Sequence, residues 1–595
     1  MKSRFLPALN SRGYYLLLAL AAIFVMGPLG GISAAFMNFS IGIYVSGQVL
    51  AGILGSAVTL PYGPEGKHGA NYIQTMAASV AGMCAMAPLI QAMLWLEVPL
   101  PPAWQLVLYF MCIGMFGVGV GMLYTPIVVD RLQLAYPSGL AVASILRALT
   151  DPLLLKRSIT RLAGSMVLGV TGALTTSKIA WLAATGLSTS TLGGGMIVGA
   201  RIAIPPLIVA LIGRWQTPHL VEIGWLNPNE PYRKIGFIIS LGSILGAASL
   251  DLVLILTQTF RRWRARQQEN RPEPPAPDWK RVNLVRLMAW VVFWGVGTIV
   301  VGSRVLHQPL LFLTVAVLLC FIFVLTNGIA QGVSDFNPIS SAFVMSVFLL
   351  AALGLRDPGV GLLCAAILAI ATAEGGDMQQ DRSTGWRLGT NRVYQFRYQV
   401  IGIAAGAVLA VVLAKVFMTA FPILTKDQYA NPHLEGAQQW QSAYTYKMVG
   451  ALRGITRSQP HVMQALQLGI ALGLAIEIAR KLLQRSRRYV DFSKRTARGR
   501  VTSFLLDAVF LPSPYAYAFG GFVELITVVW WAGGGVLASL GESLQTRLDA
   551  RAQAKPAEEL PEDMSGRCLI GGGLIAGDAI GALALGLFGL IRTVF

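Results

Sequence analysis

Charged residues are scarce in this chain of 595 residues: Asp, Glu, Lys and Arg together make up 13%, where roughly a quarter is usual for a soluble protein. That shortage excludes a soluble enzyme or binding domain of this size. Metal-ligating residues are scarce as well. The five cysteines (Cys84, Cys112, Cys320, Cys364 and Cys568) lie in apolar runs, and the five histidines are scattered. With no CxxC pair and no HExxH, the sequence offers neither a disulfide framework nor ordinary zinc-ligand spacing. No GxxxxGK[ST] phosphate loop is present, so no hydrolytic motor is legible.

What the chain has is apolar length. It is 54% hydrophobic with a mean hydropathy of +0.60, and runs of the ~20 apolar residues needed to cross a bilayer recur throughout. The reading is an all-α polytopic membrane protein. Candidate spans in the first half are Tyr14–Ser33, Ile41–Leu60, Tyr72–Leu96, Ala103–Val129, Leu162–Ala184, Leu192–Gly213 and Ile235–Thr257. In the second half they are Leu284–Val301, Leu310–Leu325, Ile339–Leu355, Val360–Thr372, Val400–Phe421, Val462–Leu483, Tyr515–Leu540 and Cys568–Ile591.

The net charge of +19 is carried by short clusters at Arg147–Arg161, Arg261–Arg286, Arg382–Arg397 and Arg480–Arg500. Aromatics do not interleave with them, so no nucleic-acid partner is expected. The clusters instead follow the positive-inside pattern, which predicts cytoplasmic loops and, from the basic start of the chain, a cytoplasmic N-terminus. Only three spans are visible between the first two clusters, where an even number is required. One segment is therefore expected to be re-entrant or too polar to see, which gives about 14–16 segments.

The expected organisation is a transmembrane half at 1–260, a basic Pro-rich linker at 261–283, and a second half at 284–595 carrying an extracytoplasmic insert at about 423–460. The halves resemble each other at their ends. Leu192–Gly213 and Pro512–Gly535 are apolar runs interrupted by Gly and Pro, each followed by an Arg and a Gly-rich closing helix, from Arg233 and from Arg567. Broken helices in corresponding positions of a repeat point to a transporter's binding site.

Ionisable groups inside spans are costly, on the order of 2.5–3.5 kcal/mol at a helix centre, so each one counts. Arg201 and Glu524 occupy the two broken helices, either as an ion pair or as contacts for a substrate's carboxylate and amine. Tyr515 and Tyr517 flank the second break. Asp251 and Asp578 lie in the closing helices. Asn71, Gln74 and Thr75 share a face at the start of an apolar helix, Asn71 in a capping position, and with Tyr515, Tyr517 and Asn337 they are candidate substrate contacts. Tyr136-Pro137-Ser138-Gly139 and Asn337-Pro338-Ile339-Ser340 break the chain before apolar runs, with Ser138 placed to cap the first of those runs. Glu374–Gly389, EGGDMQQDRSTGWRLG, interrupts two apolar runs with polar groups that lipid cannot satisfy. It is expected at the cytoplasmic end of its helix, as a gate or coupling element built on Asp377, Gln380 and Asp381.

With these residues in view, the chain resembles the oligopeptide transporter family, which includes the yellow stripe-like metal-chelate carriers, and is similar to bacterial-type members. Its Gln-Thr pair is matched by Gln74 and Thr75, its aromatic-Pro-Ser-Gly segment by Tyr136 to Gly139, and its Asn-Pro-x-Ser segment by Asn337, Pro338 and Ser340. Its Gly-Asp-x-x-Gln-Asp-x-Lys-Thr-Gly segment is matched at Gly376, Asp377, Gln380, Asp381, Thr384 and Gly385, and its closing Gly-Leu-Ile-Ala-Gly-acid run from Gly573 to Asp578. Two positions depart: Ser383 stands where the family has Lys, and Ala247 where the first closing helix has an acid. The resemblance implies secondary active import of short oligopeptides or peptide-like metal chelates, proton-coupled and by alternating access. It implies a multi-pass protein of the plasma membrane (a bacterial inner membrane), with no cofactor and no resident metal, and leaves a homo-oligomer open. Proton carriage is expected at Glu524, Asp377, Asp381 or Asp578. The rival from another class is an intramembrane enzyme using Asp377 and Asp381 to hold Mg²⁺ for a diphosphate lipid.

Overall fold

The computed structural model describes residues 6–40, 48–150, 152–228, 230–269, 277–335, 337–431, 440, 442–454, 460–551 and 565–594. Among them every regular element is helical. The first half gives α1 (Arg12–Ala21), α2 (Gly27–Ser40), α3 (Gln48–Thr59), α4 (Gly66–Cys84), α5 (Pro88–Trp95), α6 (Ala103–Thr125), α7 (Pro137–Thr150), α8 (Pro152–Lys178), α9 (Ala180–Ala184), α10 (Thr189–Val198), α11 (Ala200–Glu222) and α12 (Arg233–Glu269). After a short helical turn at Asp278–Lys280 come α13 (Leu284–Val300), α14 (Leu310–Ser334), α15 (Ile339–Ala352), α16 (Pro358–Leu388), α17 (Arg392–Ala420) and α18 (Ala443–Gly454). The chain ends with α19 (Pro460–Arg485), α20 (Arg487–Arg495), α21 (Ala497–Leu505), α22 (Pro514–Tyr517), α23 (Phe519–Phe522), α24 (Leu525–Arg551) and α25 (Gly566–Val594).

Nine helical runs among the described residues are long and apolar enough to cross a membrane, from Arg12–Phe36 to Leu525–Gln545. The count covers the described residues alone and leaves out the long helices α8, α19 and α25. The run Ala51–Trp95 joins two expected spans, while the apolar helices Pro137–Leu149 and Ala342–Ala352 are short. Leu192–Gly213 is split at Gly199, whose φ of +76° lies in the left-handed region that a side chain disfavours. Pro512–Gly535 is likewise divided, into α22, α23 and the start of α24.

The helices pack in two sets. In one, α16 lies against α4, α6, α14 and α15, while α17 covers α4. Leu362 to Ala371 of α16 are at most 3% exposed and form the centre of the largest apolar core. In the other set, α8 packs on α25, α12 on α19, and both α10 and α11 on α24. Two of these contacts repeat one another closely: a Cβ built on Gly169 would stand 2.9 Å from Gly577 Cα, and one on Gly242 3.0 Å from Gly469 Cα. Only glycine permits such backbone approach. Large apolar side chains on α13, including Val285, Val292, Phe293 and Val296, are more than half exposed, as a lipid-facing stripe requires.

The described part of the insert is packed down rather than free. Gln91 donates to Leu424 O and Ser442 Oγ (3.0 Å each), Trp95 to Leu424 O (2.9 Å), and Arg453 pairs with Asp427 at 2.5 Å. Residues 432–439, 441 and 455–459 of it lie outside the described residues.

Candidate functional site

The polar stretch Glu374–Gly389 is not an interruption. It continues α16 without a break, from an N-cap at Asp357, whose carboxylate accepts from Gly359 N and Val360 N, to Gly389 at φ +73°. Composition demanded partners for its polar groups, and neighbouring helices supply them for Asp381 Oδ1, Gln380 and Thr384. Glu374, Asp377, Gln379, Gln380, Asp381, Arg382, Ser383 and Thr384 are all at most 6% exposed. The cluster Arg382–Arg397 is accordingly no solvated basic loop: Arg382 is fully buried and Arg392 is 4% exposed.

On one side stand α4 and α17. Gln74 Nε2 donates to Asp381 Oδ1 at 2.5 Å, and Asn71 Nδ2 donates to Gln74 Oε1 at 2.7 Å. Gln395 Nε2 closes the ring, reaching Asn71 Oδ1 (2.8 Å), Asp381 O (3.1 Å) and Thr75 Oγ1 (3.5 Å). Asn71 is therefore no cap. It lies inside α4, fully buried, as a member of the ring.

On the other side stand α7, α14 and the α14–α15 junction. Gln331 Nε2 donates to Gln380 Oε1 (2.8 Å), and Gln380 Nε2 to Asp335 Oδ1 (3.0 Å). Asp335 also receives Ser138 N at 2.8 Å and the Ser138 hydroxyl. Ser138 thus does not cap α7; the carboxylate of Asp335 does, from across the interface, where negative charge suits a helix N-terminus. Tyr136 OH donates to Gly328 O (3.0 Å) and Gln379 Oε1 (3.3 Å). Asn337 Nδ2 donates to Thr372 O (2.9 Å), and Asn327 to Asn337 Oδ1 (3.0 Å). Tyr136 and Asp335 both hold positive φ, 45° and 62°, a strain that these bonds over-determine.

Glu374, Asp377 and Asp381 recur at helical spacing along α16. The first two converge on α4: a Cβ on Gly82 would lie 2.9 Å from Glu374 Oε1 and 3.0 Å from Asp377 Oδ2. Ser79 faces Glu374 and Thr75 faces Asp381, but neither oxygen of Glu374, nor Asp381 Oδ2, meets a donor in full hydrogen-bond geometry among the described residues. Ser383, in the position where a Lys was expected, accepts from the Arg387 guanidinium through both its hydroxyl and its carbonyl. A cation is thereby brought to that position from one turn further along.

At the C-terminal end of α16, Arg392 makes two bonds to Asp130, one of 2.8 Å, and Lys280 reaches the same carboxylate at 3.8 Å. Lys280 also lies over the rings of Trp279 and Trp386, at 4.9 and 5.6 Å. Beside this latch is a cavity of about 150 Å³ whose lining includes Tyr14, His68, Tyr72, Trp279 and Asn391.

The remaining candidates lie in the second set of helices. Arg201 and Glu524 do not pair with each other. Arg201 binds Asp507 at 3.1 Å and Glu524 binds Arg233 at 3.0 Å, with the Arg201 and Glu524 side chains more than half exposed. Both residues sit at the breaks themselves, where the chain direction changes, so opposite charges from adjacent segments are nearer. Tyr515 OH donates to Asp251 (2.7 Å), which Lys481 also binds at 2.9 Å. Tyr517 is buried. Asp578 accepts from Thr189 at 2.9 Å, apart from the α16 carboxylates.

The structure thus brings Asn71, Gln74, Thr75, Tyr136, Ser138, Asn337, Asp377, Gln380 and Asp381 around one helix, sets Tyr515 in the apolar cluster that also holds Tyr136, and gives Arg201, Glu524 and Asp578 partners outside this network. Sequence reasoning missed Asp335, Gln331, Gln379, Gln395 and Arg382. Gln395 and Gln399, one turn apart at the head of an apolar helix, were a legible signal.

A polytopic all-α bundle with a dry polar helix at its centre is the build of a membrane transport protein. The chain belongs to the OPT oligopeptide transporter protein family, whose model matches residues 12–588. It is also similar to a protein of Oryza sativa subsp. japonica described as probable metal-nicotianamine transporter YSL12, with 24% identity over 307 residues. That match takes in 47% of this chain and 41% of the relative. The family is one of transporters, and it lends no support to an Mg²⁺-dependent enzyme reading of Asp377 and Asp381.

Proposed function

We propose that this chain imports short oligopeptides or peptide-like metal chelates across the plasma membrane as a proton-coupled secondary transporter. The carrying observation is the α16 column of Glu374, Asp377 and Asp381, dry and ringed by carboxamides. Burying several carboxylates side by side is costly unless a proton or a cation neutralises them, and a gradient-driven carrier needs groups that take up and release such a charge. The relative's metal-nicotianamine description supports the chelate half of this reading and the family name the peptide half. In this scheme the halves 1–260 and 284–595 move against each other in alternating access, with the N-terminus cytoplasmic. The Asp130–Arg392–Lys280 latch then closes the inner side.

The test is uptake of labelled tri- to pentapeptides and of iron chelates into proteoliposomes, with and without an inward pH gradient. Gradient-driven accumulation is expected, and Asp381→Asn is expected to insert normally while lowering it by about tenfold or more. Accumulation indifferent to the gradient would overturn the coupling.

A further inference from the structure

Arg382 is fully buried, and none of its Nε, Nη1 and Nη2 atoms has a hydrogen-bond partner among the described residues. Its neighbours in sequence show how unusual that is. Arg392 is held by Asp130, and Arg387 by Ser383 and by Ala135 O at 2.9 Å. A guanidinium carries five N–H donors and stays charged in proteins, so leaving it dry and unpaired is costly. Such a group is retained where an anion completes it in another state.

The groups facing Arg382 electrostatically are Asp381, Arg392 and Tyr72. Asp381 is the adjacent opposite charge, but no hydrogen bond or ion pair joins it to the guanidinium, and its Oδ1 is engaged by Gln74. Arg392 is a second cation. Tyr72 also lines the cavity of about 150 Å³ at the end of α16.

We propose that Arg382 is the anchor for a carboxylate of the transported cargo, reached from this cavity past Tyr72. The inference rests on the transport reading above and adds to it a residue and a required group on the cargo. The planar fork of a guanidinium matches a carboxylate bidentately. Free inorganic anions share part of this chemistry and form a separate arm of the test.

The experiment measures equilibrium binding to the full-length protein in nanodiscs, alongside uptake. The probes are labelled trialanine and its C-terminal amide, a ferric aminocarboxylate chelate and its amidated counterpart, and inorganic phosphate. Wild type is expected to bind the free acids about tenfold or more tightly than the amides, one charge-assisted pair's worth. Arg382→Gln is expected to erase that preference by weakening the acids alone, and Arg382→Lys to restore part of it. Equal weakening of acid and amide in Arg382→Gln, or no preference in wild type, would overturn the assignment, as would phosphate binding lost in the same variant without any effect on the acids. Acid-selective binding with no uptake would instead overturn the transport reading and leave Arg382 in place.

Discussion

Gly82 shows how much a single hydrogen atom decides here. Two carboxylate oxygens of α16 already stand about where its side chain would begin. Gly82→Leu is expected to force Glu374 and Asp377 out of their positions, destabilising the protein by about 1–3 kcal/mol as overpacking does. Transport should fall with it, and a thermal-shift assay run beside uptake checks both. Gly82→Ala is the milder control, since the atoms it meets are the ends of side chains that can shift. At this scale the sequence was partly legible. Gln74, Thr75, Asp377, Gln380 and Asp381 were visible as motif residues, because polar side chains in an apolar run call for a reason. Their pairing was not, since Gln74 and Asp381 meet only when α4 is laid on α16. The ion pair considered between Arg201 and Glu524 does not form, for the complementary reason: a charge within an apolar run reads as buried until the backbone is seen to break beside it.

At the scale of elements, α16 reads in sequence as a helix followed by a polar loop, because hydropathy cannot distinguish side chains met by water from side chains met by other helices. Its helical spacing was available as an alternative reading of the same residues, and the structure takes it. The break at Gly199 was legible as Gly-rich sequence, and its exact residue was not. Gly199→Ala places a Cβ at φ +76° and is expected to cost about 1–2 kcal/mol. It should also straighten α10 onto α11, read as a lower melting temperature and altered labelling of a cysteine placed at Ser539, which accepts from Ala200 N at 3.0 Å. The N-terminus of α7 makes a similar point. Its Ser looked like a cap, but the acceptor is Asp335, brought to it from 197 positions away in the chain. Asp335→Ala is expected to lower stability by about 1–2 kcal/mol through loss of that cap, checked by denaturation in detergent micelles.

At the scale of the whole molecule, fold class was legible from composition alone, because a chain this apolar and this poorly charged has few alternatives. The interleaving of the halves was not, since α8 meets α25 and α12 meets α19 across most of the chain. Two segments distant in sequence also converge on Asp130, just past the end of α6: the turn before α13 and the head of α17. Asp130→Ala leaves Arg392 buried without its carboxylate and is expected to cost on the order of 2 kcal/mol. Faster solvent access to Trp279 should result, measured by fluorescence quenching with acrylamide; unchanged quenching would show that the latch does not hold that segment.

The carboxylates of α16 also have an electrical meaning. From Glu374 to Asp381 the helix advances about 10 Å, roughly a third of a hydrocarbon core about 30 Å thick. For the proton route proposed above, with α16 along the membrane normal, a charge passed down this column crosses about a third of the membrane voltage. That corresponds to about 0.8 kcal/mol per 100 mV, so turnover should quicken or slow by about fourfold when the voltage changes by that amount with both proton concentrations held equal.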